Sequence, residues 1–452
     1  MRRTAILLLC YGALAGPAWA QSDLDRIPQA ASAAPPEPAP ASDRVVYLQS
    51  DLTLNSAREG LPVPLSPPPQ WEARLFADAR LSWQIGGDLS VSYSGRLNLR
   101  AQDGLAFPGR ETVRHDFREA YLSWQHGDWF VQVGRINLKS GVGLGFNPTD
   151  YFKTRAVVDP DSADPTVLRE DRLGTVMAAA QALWRGGSVT LAVAPKLAGE
   201  TPPYLNTNLP GFDPGFDRTN ARWRMLAKAS VDLPGGLSPE FLLYRERGGT
   251  QFGLNLTEGI GQAVVAYVEW SGGRSQGLIA RALEDGAETG ILTSPPPFRV
   301  DTAKAFRNDL AAGFSYATDI GVDLEFEFDY HQAGFSGADW RDWFDAGSRP
   351  PWSGEMWFIR GYAADEQEPV ARNSVFLRAD WRNALVHDLS LTGFVDADLR
   401  DGSGLAQFAA NYDLSPRWTV GALADAYCGR ARSDFGSLPK SASVLAKVSR
   451  YF

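Results

Sequence analysis

Cysteine is almost absent: the 452 residues carry two, Cys10 and Cys428. Cys10 lies in an N-terminal segment with the outline of a signal peptide, so a mature chain keeps one thiol and no internal disulfide can staple it. Histidine is nearly as scarce, four in all, and His115, His126, His331 and His387 show no Cys/His metal spacing. An excess of positive charge is also missing. Lysine and arginine number 44 against 53 acids, a net charge of −9, which excludes the basic stripe of a nucleic-acid binder. Beyond the first twenty residues there is no run of about 18 apolar residues, so no helix can cross a bilayer. The remaining way to span one is a closed β-barrel, whose strands are wet on one face, in keeping with a mean hydropathy of −0.23.

What is present begins with Arg2, Arg3 and an apolar stretch from Ala5 to Leu14, followed by Ala18-Trp19-Ala20. This predicts a signal peptide over 1–20, cut before Gln21. Loss of its two arginines would move the net charge from −9 to −11. Residues 21–43, rich in Ala, Pro and Ser, read as a flexible periplasmic tail too apolar-poor to fold. With only that tail before the first strand, no N-terminal plug domain is expected.

From residue 44 to 452 the pattern changes to period-two alternation in segments of about ten residues. Trp71, Ala73, Leu75, Ala77, Ala79, Leu81, Trp83 and Ile85 alternate with Glu72, Arg74, Asp78, Arg80, Ser82 and Gln84, Phe76 being the exception on the wet face. Leu89, Val91, Tyr93, Leu97 and Leu99 do the same against Ser90, Ser92, Ser94, Arg96, Asn98 and Arg100, as do Val322, Leu324, Phe326, Phe328 and Tyr330 against Asp323, Glu325, Glu327, Asp329 and His331. No long window shows helical periodicity. Short connections at Gly86–Asp88, Gly127-Asp128, Gly186-Gly187, Gly235-Gly236, Glu258–Gly261, Asp319–Gly321, Asn383–Asp388 and Ser415-Pro416 alternate with long ones at 138–172, 197–220, 273–303 and 333–370. The short set reads as periplasmic turns and the long set as external loops. The turns delimit about 17 strands from Trp71 onward; bacterial barrels have even numbers, and residues 44–54 alternate well enough to supply the missing one. The fold class is therefore all-β, a transmembrane antiparallel up-and-down β-barrel of about 18 strands.

Trp83, Trp124, Trp129, Trp184, Trp381 and Trp418 fall beside proposed turns on the apolar face, where an inner aromatic girdle belongs. The terminal strand Val444–Phe452 ends on an aromatic, and here the chain resembles outer-membrane barrels generally. That resemblance implies that Tyr451 and Phe452 are a signal for the barrel-assembly machinery. Glu119–Trp124, Val133-Gly134-Arg135 and Gly145–Phe152 are similar to the early hairpin and following loop of alginate-export-like porins, a likeness covering about a tenth to a fifth of the chain. It implies a channel for a polar, carbohydrate-like solute. No long basic pattern suited to an acidic polymer accompanies it.

The 138–172 loop exceeds what a link needs, and it can fold into the lumen as a constriction carrying Asn147, Asp150, Arg169 and Glu170, or simply lie in solvent as Asx and Pro turns. By alternation the pore lining is Asp323, Glu325, Glu327 and Asp329 on one strip, Arg222, Arg224 and Lys228 on a second, and Arg378, Asp380 and Arg382 on a third. Such strips either tune which solutes pass or pair across strands into a near-neutral wall. No catalytic residues, metal or cofactor are expected; a rim hydrolase would need His115 or His331, and a wall histidine is the plainer account. The partners expected are outer-membrane lipid, the assembly machinery and a polar or carbohydrate solute. An alternative is a display barrel closed to flow, binding polysaccharide on Trp340, Trp343, Trp352 and Trp357, residues that could equally pack the loop on itself.

Overall fold

The computed structural model describes residues 42–103, 113–200, 214–233 and 237–452. The signal peptide, nearly all of the tail and the Gly235-Gly236 turn lie outside these residues. One half of the wall is β1 (Ser42–Ala57), β2 (Trp71–Gly86), β3 (Leu89–Gln102), β4 (Val113–His126), β5 (Trp129–Ile136), β6 (Thr175–Trp184), β7 (Gly187–Ala194), β8 (Arg224–Val231) and β9 (Glu240–Glu246). The other is β10 (Gly249–Ile260), β11 (Val264–Ser275), β12 (Ala305–Ala317), β13 (Val322–His331), β14 (Asn373–Trp381), β15 (Leu389–Asp398), β16 (Gly404–Ser415), β17 (Trp418–Cys428) and β18 (Lys440–Tyr451). They form one 18-stranded antiparallel sheet in which each strand pairs with its chain neighbours. Closure comes from β1, which pairs with β2 on one side (Leu48 opposite Ala77) and β18 on the other (Tyr47 opposite Tyr451). Among the described residues no strand edge is left unpaired, as a sheet in lipid requires. β1 starts at Ser42, inside the stretch read as tail.

Side chains alternate as the sequence predicts. Leu75, Trp83, Leu97, Leu99 and Leu324 are exposed on the outer surface, while Glu72, Phe76, Asp78, Arg96 and Glu327 are buried inside. Trp83, Trp124, Trp129, Trp184 and Trp418 are exposed at the turn end of the outer face. An apolar belt with an aromatic border places the barrel in the bacterial outer membrane. Tight turns supply the left-handed backbone at glycine where they need it, as at Gly127 (φ 55°) and Gly186 (φ 93°).

No long window of the sequence has helical periodicity, and the wall is all strand, but the loops carry short helices. External segments carry α1 (Pro165–Glu170), α2 (Phe216–Thr219), α3 (Leu278–Glu288), α4 (Gly337–Gly347) and α5 (Ser353–Glu366). The three longer ones pack on Val63 and Phe335 as a small core of their own, with Leu278, Ile279, Trp340, Trp343, Phe344, Met356 and Ile359 inside. Trp340 and Trp343 are 1% and 0% exposed, so they are core residues and offer no face to a sugar. The Arg360 guanidinium lies 5.5 Å from the Trp340 ring and 5.6 Å from that of Trp343.

Candidate functional site in the barrel lumen

The loop joining β5 to β6 turns inward and crosses the barrel. It leaves the wall at Ile136, yet an added Cβ on Gly145 would lie 2.6 Å from the Phe376 side chain on β14, nine positions round an eighteen-strand ring. Two kinds of anchor hold it. On the acidic wall, Glu327 accepts backbone N–H bonds from Leu144 (3.0 Å) and Phe146 (2.7 Å), and the Tyr267 hydroxyl donates to it at 2.6 Å. Glu269 on β11 accepts from the Gly143 N–H at 2.8 Å and also from that of Val142. Tyr151 stacks on Tyr244 with ring centroids 4.5 Å apart and its hydroxyl bonds Ser271 at 3.0 Å.

On the opposite wall, inward arginines of β2, β3 and β4 meet the loop's carboxylates. Arg74 binds Asp159 at 2.6 Å, Arg100 binds Asp161 at 3.0 Å, and Asp171 takes Arg80 (2.5 Å), Arg96 (2.6 Å) and Arg118 (3.0 Å). Asp78 on the wall shares Arg96 and Arg118 at 2.9 and 2.6 Å. Phe76, the odd residue on the wet face, lies under Arg96 with 4.4 Å from guanidinium to ring centroid. The lumen is thus divided by charge, basic on β2–β4 and acidic on β11 and β13. The strips named from the sequence missed this basic column, although the same alternation puts Arg74, Arg96 and Arg100 on the wet face.

Within the loop, Asp150 and Arg172 pair at 2.7 Å, both buried. Burial alone would raise the Asp150 carboxyl, but Arg172, together with Arg169 and Lys153, holds it below its ordinary range. Burial would likewise raise the Asp159 carboxyl, but Arg74, with Arg96 and Arg100, brings it down to about 2. Asn147 donates to the Ser140 carbonyl at 2.9 Å and Arg169 to the Gly141 carbonyl at 2.5 Å. Glu170 is exposed beside Lys139.

The other residues of the predicted lining fall as follows. Glu327 and Asp329 are covered by the loop, whereas Asp323 and Glu325 are half-buried nearer the turn end. Arg378 binds Asp380 at 2.6 Å and the loop's Asp164 at 3.0 Å. Arg382 is exposed in the turn after β14, and Arg222 precedes β8, bonded to Glu200 and Glu246. Arg224 faces Glu246 at 3.7 Å and Lys228 pairs with Glu240 at 3.0 Å. His331 Nδ1 donates to the Asp309 carboxylate at 2.8 Å and its Nε2 stands 3.4 Å from Glu368, while His115 lies 3.4 Å from the Tyr93 hydroxyl. Tyr451 pairs within the wall, and the N–H of the exposed Phe452 donates to the Val46 carbonyl at 3.0 Å.

Between the crossing loop and the segment holding α5 lies a cavity of about 480 Å³. Arg114, Lys153, Arg155, Arg169, Arg172 and Arg218 line it, against Asp150, Asp365, Glu368 and Asp396, an excess of two cations by formal charge. Burial lowers the Lys153 ammonium from its ordinary value, with Asp150 opposing; its Nζ donates to the Asn147 carbonyl at 2.6 Å.

No family model matches the chain, and no curated protein matches it. Solved structures do. OccK11 (OpdR) of Pseudomonas aeruginosa aligns over 91% of this chain and 96% of its own at 11% identity, TM-score 0.50. A BenF-like porin from Pseudomonas fluorescens Pf-5 aligns over 91% and 98% at 8% identity, TM-score 0.52. OccK2 (OpdF) of P. aeruginosa, solved in complex with glucuronate, aligns over 91% and 98% at 11% identity, TM-score 0.50. The fold is that of an outer-membrane porin. The finer likeness to alginate-export-like porins finds no counterpart among these three.

Proposed function

We propose that the chain is a passive outer-membrane channel for small or oligomeric polar solutes, its lumen narrowed by the 137–174 loop. The observation that carries this is the way the loop is held: carboxylates of one wall and arginines of the other stretch it across the barrel, and a charged cavity runs beside it. A loop fixed at both walls sets a size limit, and rings of opposed charge beside it sort what passes. The cationic excess favours anionic solutes, sugar acids among them, since fixed guanidinium groups meet carboxylates bidentately. OccK2 was solved with such a molecule, glucuronate.

Asn147, Asp150 and Arg169 belong to the constriction by this reading, with Glu170 at its rim. Asp323, Glu325, Arg378 and Asp380 would line the path toward the turn end, with Arg382 at its mouth. Glu327 and Asp329 would act by positioning the loop, and Arg222, Arg224 and Lys228 by fixing the wall. The terminal Tyr451 and Phe452 would serve assembly. A display barrel closed to flow is less well supported, because Trp340 and Trp343 are spent on a core. Single-channel recording in a planar bilayer tests the reading: discrete steps are expected, with a reversal potential favouring anions and current blocked by glucuronate more than by glucose. Silence across all voltages, with glycan retained, would favour display instead.

A further inference from the structure

At most external strand ends the outward side chains are uncharged, as with Leu54, Trp71, Leu99 and Val113, all exposed. Strands β9 to β12 break that pattern. The register sets Met225 opposite Arg245, Arg245 opposite Thr250 and Arg274 opposite Phe306, while the pair Gln251 and Gly273 brings Thr250 and Arg274 level. Arg245 and Arg274 thus stand in one transverse row on the lipid side, two strands or about 10 Å apart. Lys304, two residues above Phe306, adds a third exposed cation.

None of the three has an ion pair among the described residues; Arg274 makes one hydrogen bond, to the Lys304 carbonyl at 3.2 Å. Glu246, next to Arg245, faces inward and accepts from the Tyr244 hydroxyl at 2.6 Å, and Asp301, the carboxylate nearest Lys304 in sequence, accepts from the Ala303 N–H at 3.0 Å. Directly below, the Trp270 and Phe306 rings lean over Gly272, where an added Cβ would lie 2.5 Å from one and 2.8 Å from the other. Exposed Leu243 and Phe252 continue the apolar surface downward. Cations directly above an aromatic shelf sit at headgroup depth. The headgroups on this side of an outer membrane are those of phosphorylated glycolipid, and a guanidinium pair meets phosphate with charge-assisted, two-pronged bonds.

We propose that Arg245, Arg274 and Lys304 form a docking site on the outside of the barrel for the phosphates of an outer-leaflet glycolipid, its acyl chains lying over Trp270 and Phe306. The site is independent of what the lumen transports.

The test uses the purified full chain in detergent with lipopolysaccharide, intact or stripped of its phosphates, and measures lipid retained after gel filtration. Intact lipid should be retained by the wild type. Retention should fall about tenfold in the combined Arg245→Gln, Arg274→Gln, Lys304→Gln variant, and as far with stripped lipid on the wild type. A control removing equal charge elsewhere, Arg341→Gln, Arg349→Gln, Arg430→Gln, should retain lipid normally. Should the triple variant fail to fold, Arg274→Gln alone is expected to cut retention about threefold. Equal retention by the site variant, equal retention of stripped lipid, equal loss in the control, or occupancy by inorganic phosphate with no glycolipid bound would each overturn the proposal.

Discussion

Glu327 is a charged residue whose work is to hold backbone. It is 0% exposed and takes two loop N–H groups and the Tyr267 hydroxyl. With three donors converging on one buried carboxyl group, Glu327→Ala should loosen the loop by about 1.5–3 kcal/mol. The expected readout is larger, noisier single-channel current with the barrel still intact in heat-modified gel migration; unchanged current would separate the loop from conduction. Arg172→Ala acts from inside the loop by leaving the buried Asp150 carboxylate unpaired, a loss on the order of 3–5 kcal/mol. Trypsin should then cut after Lys153, which the wild type should resist. Alternation identified Glu327, Arg74 and Arg96 as inward-facing. It could not say that their partners are main-chain N–H groups and acids of a loop, because those pairings are set by where the loop crosses, not by spacing within a strand.

The loop helices show what short elements owe to their surroundings. α3, α4 and α5 have 11, 11 and 14 residues, at or below the length at which an isolated helix is stable in water, so their shared core must hold them. A long-window search for helical period passes over such pieces. The signal for α4 was nonetheless present: Ser336 caps the Asp339 N–H at 3.2 Å while Asp339 accepts from the Ser336 N–H at 2.7 Å, and Trp340, Trp343 and Phe344 follow at helical spacing. Trp343→Ala should cost about 3–5 kcal/mol. Hydrogen exchange should rise across α4 and α5 while wall strands stay protected. Burial pushes the Glu366 carboxyl at the end of α5 up to about 7, with Arg222 opposing. Between the ordinary carboxylate range and about 7, the packed loop holds a proton that the unpacked one has released, so its stability falls as pH rises through that window. Once the base-catalysed intrinsic rate is divided out, protection factors in α5 should be several-fold higher at pH 5.5 than at pH 8, and Glu366→Gln should remove that difference.

At the scale of the whole molecule, two features fix the outcome: a sheet closed by β1 between β2 and β18, and a loop that crosses to the far wall. The first was legible because lipid and water impose a period of two on every strand and because the short turns are marked by glycine and asparagine. The second was legible only as a length, since nothing in a surplus of residues says whether they turn in or out. What decides is the division of the interior into a basic wall on β2–β4 and an acidic one on β11 and β13. Together they attract the loop's acids and main-chain N–H groups. Swelling of liposomes containing the purified protein, in isotonic solutes of graded size, tests this most directly. The wild type should swell with small polar solutes and more slowly as size grows, and the Glu269→Gln, Glu327→Gln variant should admit larger ones. No swelling by either protein, or one size limit for both, would contradict it.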